Sequence, residues 1–337
     1  MGSLYVDGTI DEIRADGKSL VLFRGGRREG RVPMVPLERV VIQGNLRVET
    51  RALGLLAREG VAVHLLSGRQ GRWQATVVGP GHAHAELRVA QLRAHLDAGF
   101  CGEAARRWIR EKIEGQASNV VAWMGQSPRD RKALVDARVA LGRAAESLEG
   151  AGPESVRGIE GASARAYFGA MVAVLPPALG FRGRNRRPPT DPVNALLSLS
   201  YTLVHAEWAH RLRLSGFDPY VGFFHGIDYG RESLASDLVE PVRPEVDRWV
   251  VELVRSGAFR PRDFSKGGER AGCWLKTEAR RRYYAAYEQW AEPRRPAWRQ
   301  RAYDLAREVL ERFGGGEKGG GRDRECAAAD EQGGGGA

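Results

Sequence analysis

The spacing of apolar residues changes once along the chain, near residue 82. From Leu4 to about Gly81, short runs rich in Val, Ile and Leu alternate with glycine turns. The stretches EIRADGKSLVLFR and VAVHLLSGRQGRWQATVVG each predict two strands around a tight turn. One segment in this part, Arg51 to Gly60, has helical spacing and ends at a glycine that suits a helix C-terminus. The first part of the chain is therefore predicted to be a small β-domain.

Beyond His84 the apolar residues recur at intervals of three and four, as in AELRVAQLRAHL and ARRWIREKI, and this spacing continues to about Phe313. After Phe313 the chain is rich in glycine and cannot bury enough apolar surface to fold. We therefore predict an α+β protein with two domains. A small N-terminal β-domain covers residues 1–82, a larger all-α domain covers residues 83–313, and a disordered glycine-rich tail covers residues 314–337.

Composition excludes several classes of protein. Of the 337 residues, 42% are hydrophobic and 28% are charged, which is ordinary for a globular protein. No apolar run approaches the roughly 18 residues that a membrane span needs, and the N-terminus lacks the features of a signal peptide. We therefore expect a cytoplasmic protein that does not enter a membrane. The cysteines Cys101, Cys273 and Cys326 are widely separated, which indicates free thiols.

Positive charge is concentrated in the part predicted to fold. The chain carries a net charge of +10, and the three basic and five acidic residues after Phe313 contribute −2, so the rest carries +12. Arginines cluster at residues 182–187, 280–282 and 294–301. Solvated surface charge is one explanation for any single cluster, but three clusters of one sign favour a polyanion such as DNA. In the first cluster the candidate DNA contacts are Arg182, Arg184, Arg186 and Arg187.

Two helical segments carry polar groups with more than one possible role. Glu160 lies among the small residues of RGIEGASARAYFGAM, which leaves it open to a ligand, although a carboxylate near a helix N-terminus is also favoured by the helix dipole. Further along, Asn194, Ser198 and Tyr201 recur at spacings of four and three and form one helical stripe. This stripe predicts either contacts with DNA or a set of internal hydrogen bonds.

The segment FFHGIDYGRESLASDLVEPVRP combines a histidine with two carboxylates. Residues 233–239, which follow His225 in the chain, have the pattern of a helix start. On such a helix Asp237 and Glu240 stand three residues apart on one face. An imidazole with two or three carboxylates is a ligand set suited to magnesium or manganese. Such an ion can activate a phosphodiester as a Lewis acid. A purely structural histidine is the alternative, and spacing does not show whether Glu160 comes near.

These segments together resemble a known family. The stretches GIEGASARAYFGAM, RNRRPPTDPVNALLSLSYTLVHAEW, GFDPYVGFFHGIDYGRESLASDLVEPVRPEVDRWV and AGCWLKTEARRRYYAAYE are similar to the Cas-one proteins, the CRISPR-associated endonucleases and integrases of spacer acquisition. That family joins an N-terminal β-domain to a helical catalytic domain. The resemblance implies that Glu160, His225 and Glu240 bind the metal ion, Mg²⁺ or Mn²⁺, and that Asp237 is a neighbouring catalytic acid.

The resemblance also implies a reaction and partners. Members of this family insert a captured double-stranded DNA fragment into the CRISPR repeat, by attack of its 3′-hydroxyl on a phosphodiester, and can hydrolyse DNA as metal-dependent endonucleases. The implied partners are DNA, a second copy in a homodimer, and the small Cas-two protein in a heterohexameric integration complex. Two other interpretations stay open. They are a structure-selective DNA nuclease of repair with the same metal site, and a DNA-binding scaffold without catalysis.

Overall fold

The computed structural model describes residues 2–35, 37–67, 73–79, 85–126, 130–185, 188–267 and 272–315. Within these ranges the helices are α1 (Thr50–Arg58), α2 (Ala85–Leu96), α3 (Ala98–Met124), α4 (Arg131–Glu146), α5 (Pro153–Val174), α6 (Pro192–Leu214), α7 (Ser233–Val239), α8 (Arg243–Arg255), α9 (Thr277–Ala291) and α10 (Arg295–Phe313). The strands are β1 (Gly2–Val6), β2 (Glu12–Asp16), β3 (Ser19–Arg24), β4 (Arg27–Pro33), β5 (Leu37–Gln43), β6 (Arg47–Val48), β7 (Ala62–Leu66), β8 (Trp73–Val77), β9 (Phe264–Lys266) and β10 (Cys273–Leu275). The fold is therefore mixed α and β, with helix predominating.

The strands near the N-terminus form two four-stranded sheets. In one sheet the order is β1-β5-β7-β8, with β1, β5 and β7 parallel and β8 antiparallel to β7. In the other the order is β4-β3-β2-β6. Both predicted strand pairs are confirmed, since β2 pairs with β3 and β7 pairs with β8. The predicted helix is confirmed as α1, and Gly60 follows it at φ 69°, a conformation that favours glycine.

One apolar cluster joins these two sheets and α1. It draws buried side chains from strands of both sheets and from the inner face of the helix, because alternate strand residues point to the same side. Its buried members are Val6, Ile10, Ile13, Leu20, Met34, Val40, Ile42, Ala52, Leu56, Val61 and Val63. A second, larger cluster is built mainly from the helices. The described residues thus contain two centres of apolar packing.

The helical part is organised around α3 and α6. Asp97 caps the start of α3 by accepting a hydrogen bond from the backbone N–H of Phe100 at 2.7 Å, and α3 then packs against α4, α5 and α8. Most of α6 is buried, and it packs against α7, α8 and α10. These contacts bring residues of α3, α5 and the α7–α8 region together.

The prediction of an all-α second part is wrong in one place. Between α8 and α9, strands β9 and β10 pair antiparallel, with Phe264 opposite Leu275. Each strand has only three residues, which is too short to show a spacing of two in the sequence. The backbone N–H of Cys273 also donates to the carbonyl of Pro189 at 2.7 Å, which ties this small ribbon to the segment before α6.

Stacked tyrosine rings and buried ion pairs join the sheets to the helices. The ring of Tyr5 stacks on that of Tyr284, with centroids 4.3 Å apart. Arg39 on β5 is buried and forms ion pairs with Glu207 on α6 and with Glu288 on α9, the latter at 3.0 Å. Because a buried charge must be paired to be tolerated, these contacts fix the strands against the helices.

The structure also bears on the predicted absence of a membrane span, on the cysteines and on the tail. No helix of the described residues is long and apolar enough to cross a membrane. Cys101 and Cys273 are free thiols, as predicted, while Cys326 lies outside the described residues. The same holds for the predicted tail, of which only Gly314 and Gly315 are described.

Candidate active site

The carboxylate of Asp237 holds the loop that carries His225. It is fully buried on α7 and accepts hydrogen bonds from the backbone N–H groups of Phe223, Phe224 and His225 at 2.7, 3.0 and 2.9 Å. Its Oδ1 also bonds the ring Nδ1 of His225 at 2.7 Å. A carboxylate bound to one ring nitrogen orients the imidazole, so Nε2 is the nitrogen left to bind a metal ion or exchange a proton.

Gly222 allows this loop to lie against α7. A Cβ at residue 222 would stand 2.7 Å from Oδ2 of Asp237 and 2.8 Å from Cβ of Ser233, closer than side-chain atoms approach one another. The hydroxyl of Ser233 donates to the carbonyl of Gly226 at 2.9 Å and closes the loop from its other end. The glycine before the apolar pair is therefore required by the close approach of loop and helix.

Glu160 and Glu240 meet on the ammonium group of Lys112. Glu160 lies in the first half of α5, Glu240 begins the 3₁₀ turn that follows α7, and Lys112 lies in the middle of α3. The Nζ atom of Lys112 donates to Oε1 of Glu160 and, at 2.6 Å, to Oε2 of Glu240. Lys112 and Glu240 are buried, and a quarter of the Glu160 side chain is exposed. Three separate elements thus converge on one cation.

Arg243 binds the other oxygen of Glu240. Its Nε donates to Oε1 at 2.9 Å, and its guanidinium lies over the ring of Tyr201, 4.4 Å from the centroid. Burial alone would raise the pKa of Glu240, but the positive charges of Arg243 and Lys112 outweigh it and hold that pKa well below its usual value. Glu240 is therefore ionised at neutral pH, with both of its oxygens bound to cations.

The predicted metal ligands suit a divalent ion in their chemistry, but the structure divides them between two groups. Carboxylate oxygens and an imidazole nitrogen are ligands that Mg²⁺ and Mn²⁺ accept, and two of the three side chains already share one cation. The third, His225, is bound to Asp237 instead. Across the residues that the structure describes, no set of three or more His, Cys, Asp or Glu side chains is arranged to hold a metal ion. Lys112 occupies the space between the two glutamates.

Two of the predicted DNA contacts in the first arginine cluster are described, and they differ. Arg182 is exposed and free to approach a polyanion. Arg184 is partly buried, and its guanidinium donates to Oδ1 of Asn194 at 2.8 Å and to the hydroxyl of Ser198 at 3.1 Å. This residue therefore holds the segment before α6 against that helix. Arg186 and Arg187 lie outside the described residues.

The polar stripe on α6 forms internal hydrogen bonds. Asn194 is fully buried and donates to Oδ2 of Asp191 at 2.6 Å and to the carbonyl of Gly183 at 2.9 Å. The hydroxyl of Tyr201 is buried and donates to Asp247. Both side chains are buried and hydrogen-bonded within the chain, which is the arrangement that the internal alternative describes. Burial also raises the pKa of Asp247 to about 6, although its hydrogen bond with Tyr201 acts against this.

Lys112 was not predicted as a site residue from the sequence, although the pattern of buried positions on α3 indicates that it is buried. In ARRWIREKIEGQ the buried positions recur at helical spacing and include Trp108, Ile109, Lys112, Ile113 and Gln116. A lysine on such a stripe is forced into the interior, where its charge requires a carboxylate partner. The identity of that partner is not available from the pattern, since Glu160 and Glu240 are distant in the chain.

The chain is similar to known proteins over most of its length. The family model for CRISPR associated protein Cas1 matches residues 4–289. The chain is 39% identical over 317 residues to CRISPR-associated endonuclease Cas1 1 of Thermodesulfovibrio yellowstonii, covering 92% of this chain and 98% of that relative. It is 34% identical over 298 residues to CRISPR-associated endonuclease Cas1 3 of Thermus thermophilus, covering 86% of this chain and 84% of the relative.

Solved structures share the fold at lower identity. A Cas1 protein from Thermotoga maritima superposes with a TM-score of 0.81 at 19% identity, covering 96% of this chain and 100% of that one. A casposase bound to integration product superposes with a TM-score of 0.78 at 23% identity, covering 93% and 91%. The family match and the two relatives above 30% identity confirm the resemblance read from the sequence: the chain belongs to the Cas1 family of CRISPR-associated proteins.

Proposed function

We propose that this protein is an integrase of CRISPR adaptation and a DNA endonuclease. It would insert a short DNA fragment into the CRISPR array by attack of the fragment's 3′-hydroxyl on a phosphodiester of the repeat. Its family and the names of its relatives, CRISPR-associated endonucleases, support DNA as the substrate. The observation that carries the proposal is the meeting of Glu160 and Glu240 on one buried cation. Glu240 follows by three residues the aspartate that binds the His225 ring.

Glu160, His225 and Glu240 would hold the metal ion, Mg²⁺ or Mn²⁺. When bound, the ion supplies positive charge that stabilises a phosphoryl group under attack. Asp237 orients the His225 ring through Nδ1, and Arg243 keeps Glu240 ionised and in place. The roles of Asp237 and Arg243 follow from these hydrogen bonds.

The chain would work as two domains in a larger assembly. We assign residues 1–82 to a β-domain for partner and dimer contacts and residues 83–313 to the catalytic domain, in keeping with the two apolar clusters. The proposed partners are a second copy of the chain and the Cas2 protein, in a heterohexamer. One structure of similar fold is that of a Cas6-RT-Cas1–Cas2 complex. Since the reaction uses chromosomal DNA, we place it in the cytoplasm.

The net charge suits this substrate. The residues up to Phe313 carry +12, and a DNA-binding surface gains affinity from each phosphate that it neutralises. Arg182 is the described, exposed member of the first arginine cluster and is the candidate contact there. Binding that rests on such contacts should weaken steeply as the salt concentration rises.

A strand-joining assay tests the proposed function. A labelled duplex fragment with free 3′-hydroxyls is incubated with a plasmid that carries a CRISPR repeat, in Mn²⁺ or Mg²⁺, with and without Cas2. An integrase transfers the label to the plasmid as a longer, covalently joined product, and a fragment with 3′-terminal dideoxynucleotides should not be joined. If the label appears only in shortened strands, the protein is a nuclease that hydrolyses DNA and the integration proposal is wrong.

A further inference from the structure

Lys112 lies where a metal ion would have to bind the two glutamates. Its Nζ bonds Oε1 of Glu160 and Oε2 of Glu240, so each carboxylate that is proposed to bind metal is already bound to the ammonium. Only about a twentieth of the Lys112 side chain is exposed, so the ammonium is inside the site and not at its rim. A divalent ion and the ammonium cannot occupy the same position between these oxygens.

The balance of charge around the two glutamates also indicates that a metal ion and both resident cations do not bind together. Within this hydrogen-bonded group of four side chains, the two positive charges of Lys112 and Arg243 balance the two negative charges of Glu160 and Glu240. A divalent ion that joined the group would bring two further positive charges into a buried place. Because uncompensated buried charge is costly, metal binding is favoured only if a resident cation leaves.

Of the two cations, Lys112 is the one suited to leave. The Arg243 guanidinium is planar, bonds Oε1 of Glu240 and stacks over Tyr201, which fixes it from two sides. The Lys112 ammonium stands at the end of a flexible four-carbon chain and donates hydrogen bonds to the two carboxylates. A rotation of that side chain would free one oxygen of each glutamate without moving α3.

We propose that Lys112 is a built-in counter-ion which a divalent metal ion displaces when it binds Glu160 and Glu240. Lys112 then lowers the affinity of the site for metal, while it keeps the two carboxylates together in the metal-free protein. This inference rests on the metal site proposed above and adds to it a residue that controls metal binding.

A purely structural role for Lys112 makes the opposite prediction. If the lysine only positions the two glutamates for the metal ion, its removal lets them move apart, and metal binds more weakly. If the lysine competes with the metal ion, its removal vacates the position, and metal binds more tightly. The direction of the change in affinity therefore separates the two roles.

The test is titration of the full-length protein with Mn²⁺ alone, by isothermal calorimetry and by the Mn²⁺-induced rise in melting temperature. We expect Lys112→Met to bind Mn²⁺ roughly tenfold or more tightly than the unchanged protein, because a charge-assisted pair no longer has to be broken. Its melting temperature without metal should be lower and should rise further on adding Mn²⁺. Lys132→Met is the matched control, since Lys132 is exposed on α4 and pairs with Asp136 at 2.6 Å.

A second variant guards against loss of folding. Lys112→Gln keeps hydrogen-bond donors near the carboxylates but removes the charge, and it should also bind Mn²⁺ more tightly. Adding Glu160→Ala to either variant should abolish the gain, which would locate the binding at this site. If both Lys112 variants bind Mn²⁺ with equal or weaker affinity than the unchanged protein, the proposed displacement of Lys112 is wrong. The proposed metal site would not be contradicted by that result. If neither the Lys112 variants nor the unchanged protein bind Mn²⁺, both the displacement and the proposed metal site are wrong.

Discussion

The Asp237 carboxylate accepts four hydrogen bonds, three from the backbone and one from the ring of His225. The sequence placed it beside Glu240 as a further acid of the site. The structure shows that its oxygens are occupied by donors of one loop, so its contribution is to position His225. The hydrogen bonds of Asp237 therefore stabilise the fold as well as orient His225, because buried donors need an acceptor.

Asp237→Ala should therefore destabilise the protein strongly. Four donors, two of them buried and two partly buried, would lose their acceptor. We therefore expect a fall of roughly 3–5 kcal/mol in the free energy of unfolding. Urea denaturation measures this directly. Asp136→Ala is the control, because Asp136 is exposed on α4, and its loss should change stability by less than about 0.5 kcal/mol. Similar stabilities for the two variants would show that Asp237 does not hold the loop.

At the scale of the element, the site depends on how closely α3 approaches the start of α8. A Cβ at Gly115 would lie 2.9 Å from both Cβ and Cγ of Pro244, so only glycine permits this packing. Gly115 follows Lys112 by about one turn of α3, and Glu240 lies in the turn that leads into α8. The distance between these two elements thus also sets how Lys112 meets Glu240.

Two glycine substitutions should have opposite effects. Gly115→Ala should lower the free energy of unfolding by roughly 1–3 kcal/mol, because the added methyl group overpacks the contact with Pro244. Gly142→Ala, in α4, meets no atom within 4 Å and should raise stability by about 0.5–1 kcal/mol, since alanine is the better helix former. Thermal or urea unfolding of both variants checks this pair. A gain from Gly115→Ala would mean that α3 and α8 are further apart.

At the scale of the whole molecule, neutral histidines lie between the strands and the helices. His64 on β7 and His210 on α6 face each other edge to face, with ring centroids 6.3 Å apart. Burial, aided by nearby arginines, lowers the pKa of His210 from 6.5 to about 4 and lowers that of His64 well below its usual value. Both rings are therefore uncharged in the folded protein at neutral pH.

Stability should fall as the pH drops from 7 to 5. The unfolded chain binds a proton at each histidine near pH 6.5, whereas folded His210 resists protonation until about pH 4, so the unfolded state holds more protons in this window. The stabilising contribution is complete above the unfolded pKa and is lost as the pH falls. His210→Gln should flatten the dependence by up to about 1.4 kcal/mol per pH unit. Urea denaturation at pH 5, 6 and 7 tests this, and an unchanged slope would refute it.

Local features of the fold were accessible from the sequence, and long-range contacts were not. The β2–β3 hairpin and α1 were predicted because turn glycines and apolar spacing act within a few residues. The ribbon of β9 and β10 was missed because three-residue strands show no periodicity. Glu160, His225 and Glu240 were predicted as metal ligands from the family resemblance and not from a local pattern. The role of Lys112 depends on contacts made across 48 and 128 residues of chain, which no local pattern contains.

Strand joining by single alanine variants tests the central claim most directly. Glu160→Ala, His225→Ala and Glu240→Ala are compared with Glu154→Ala, an exposed glutamate of the same helix as Glu160, in Mn²⁺ and alongside a DNA-binding titration. The three site variants should lose strand joining and still bind DNA, since the proposed DNA contact, Arg182, is unchanged in them, while Glu154→Ala should join strands normally. If Glu160→Ala or His225→Ala joins strands at the unchanged rate, these residues do not form the catalytic metal site.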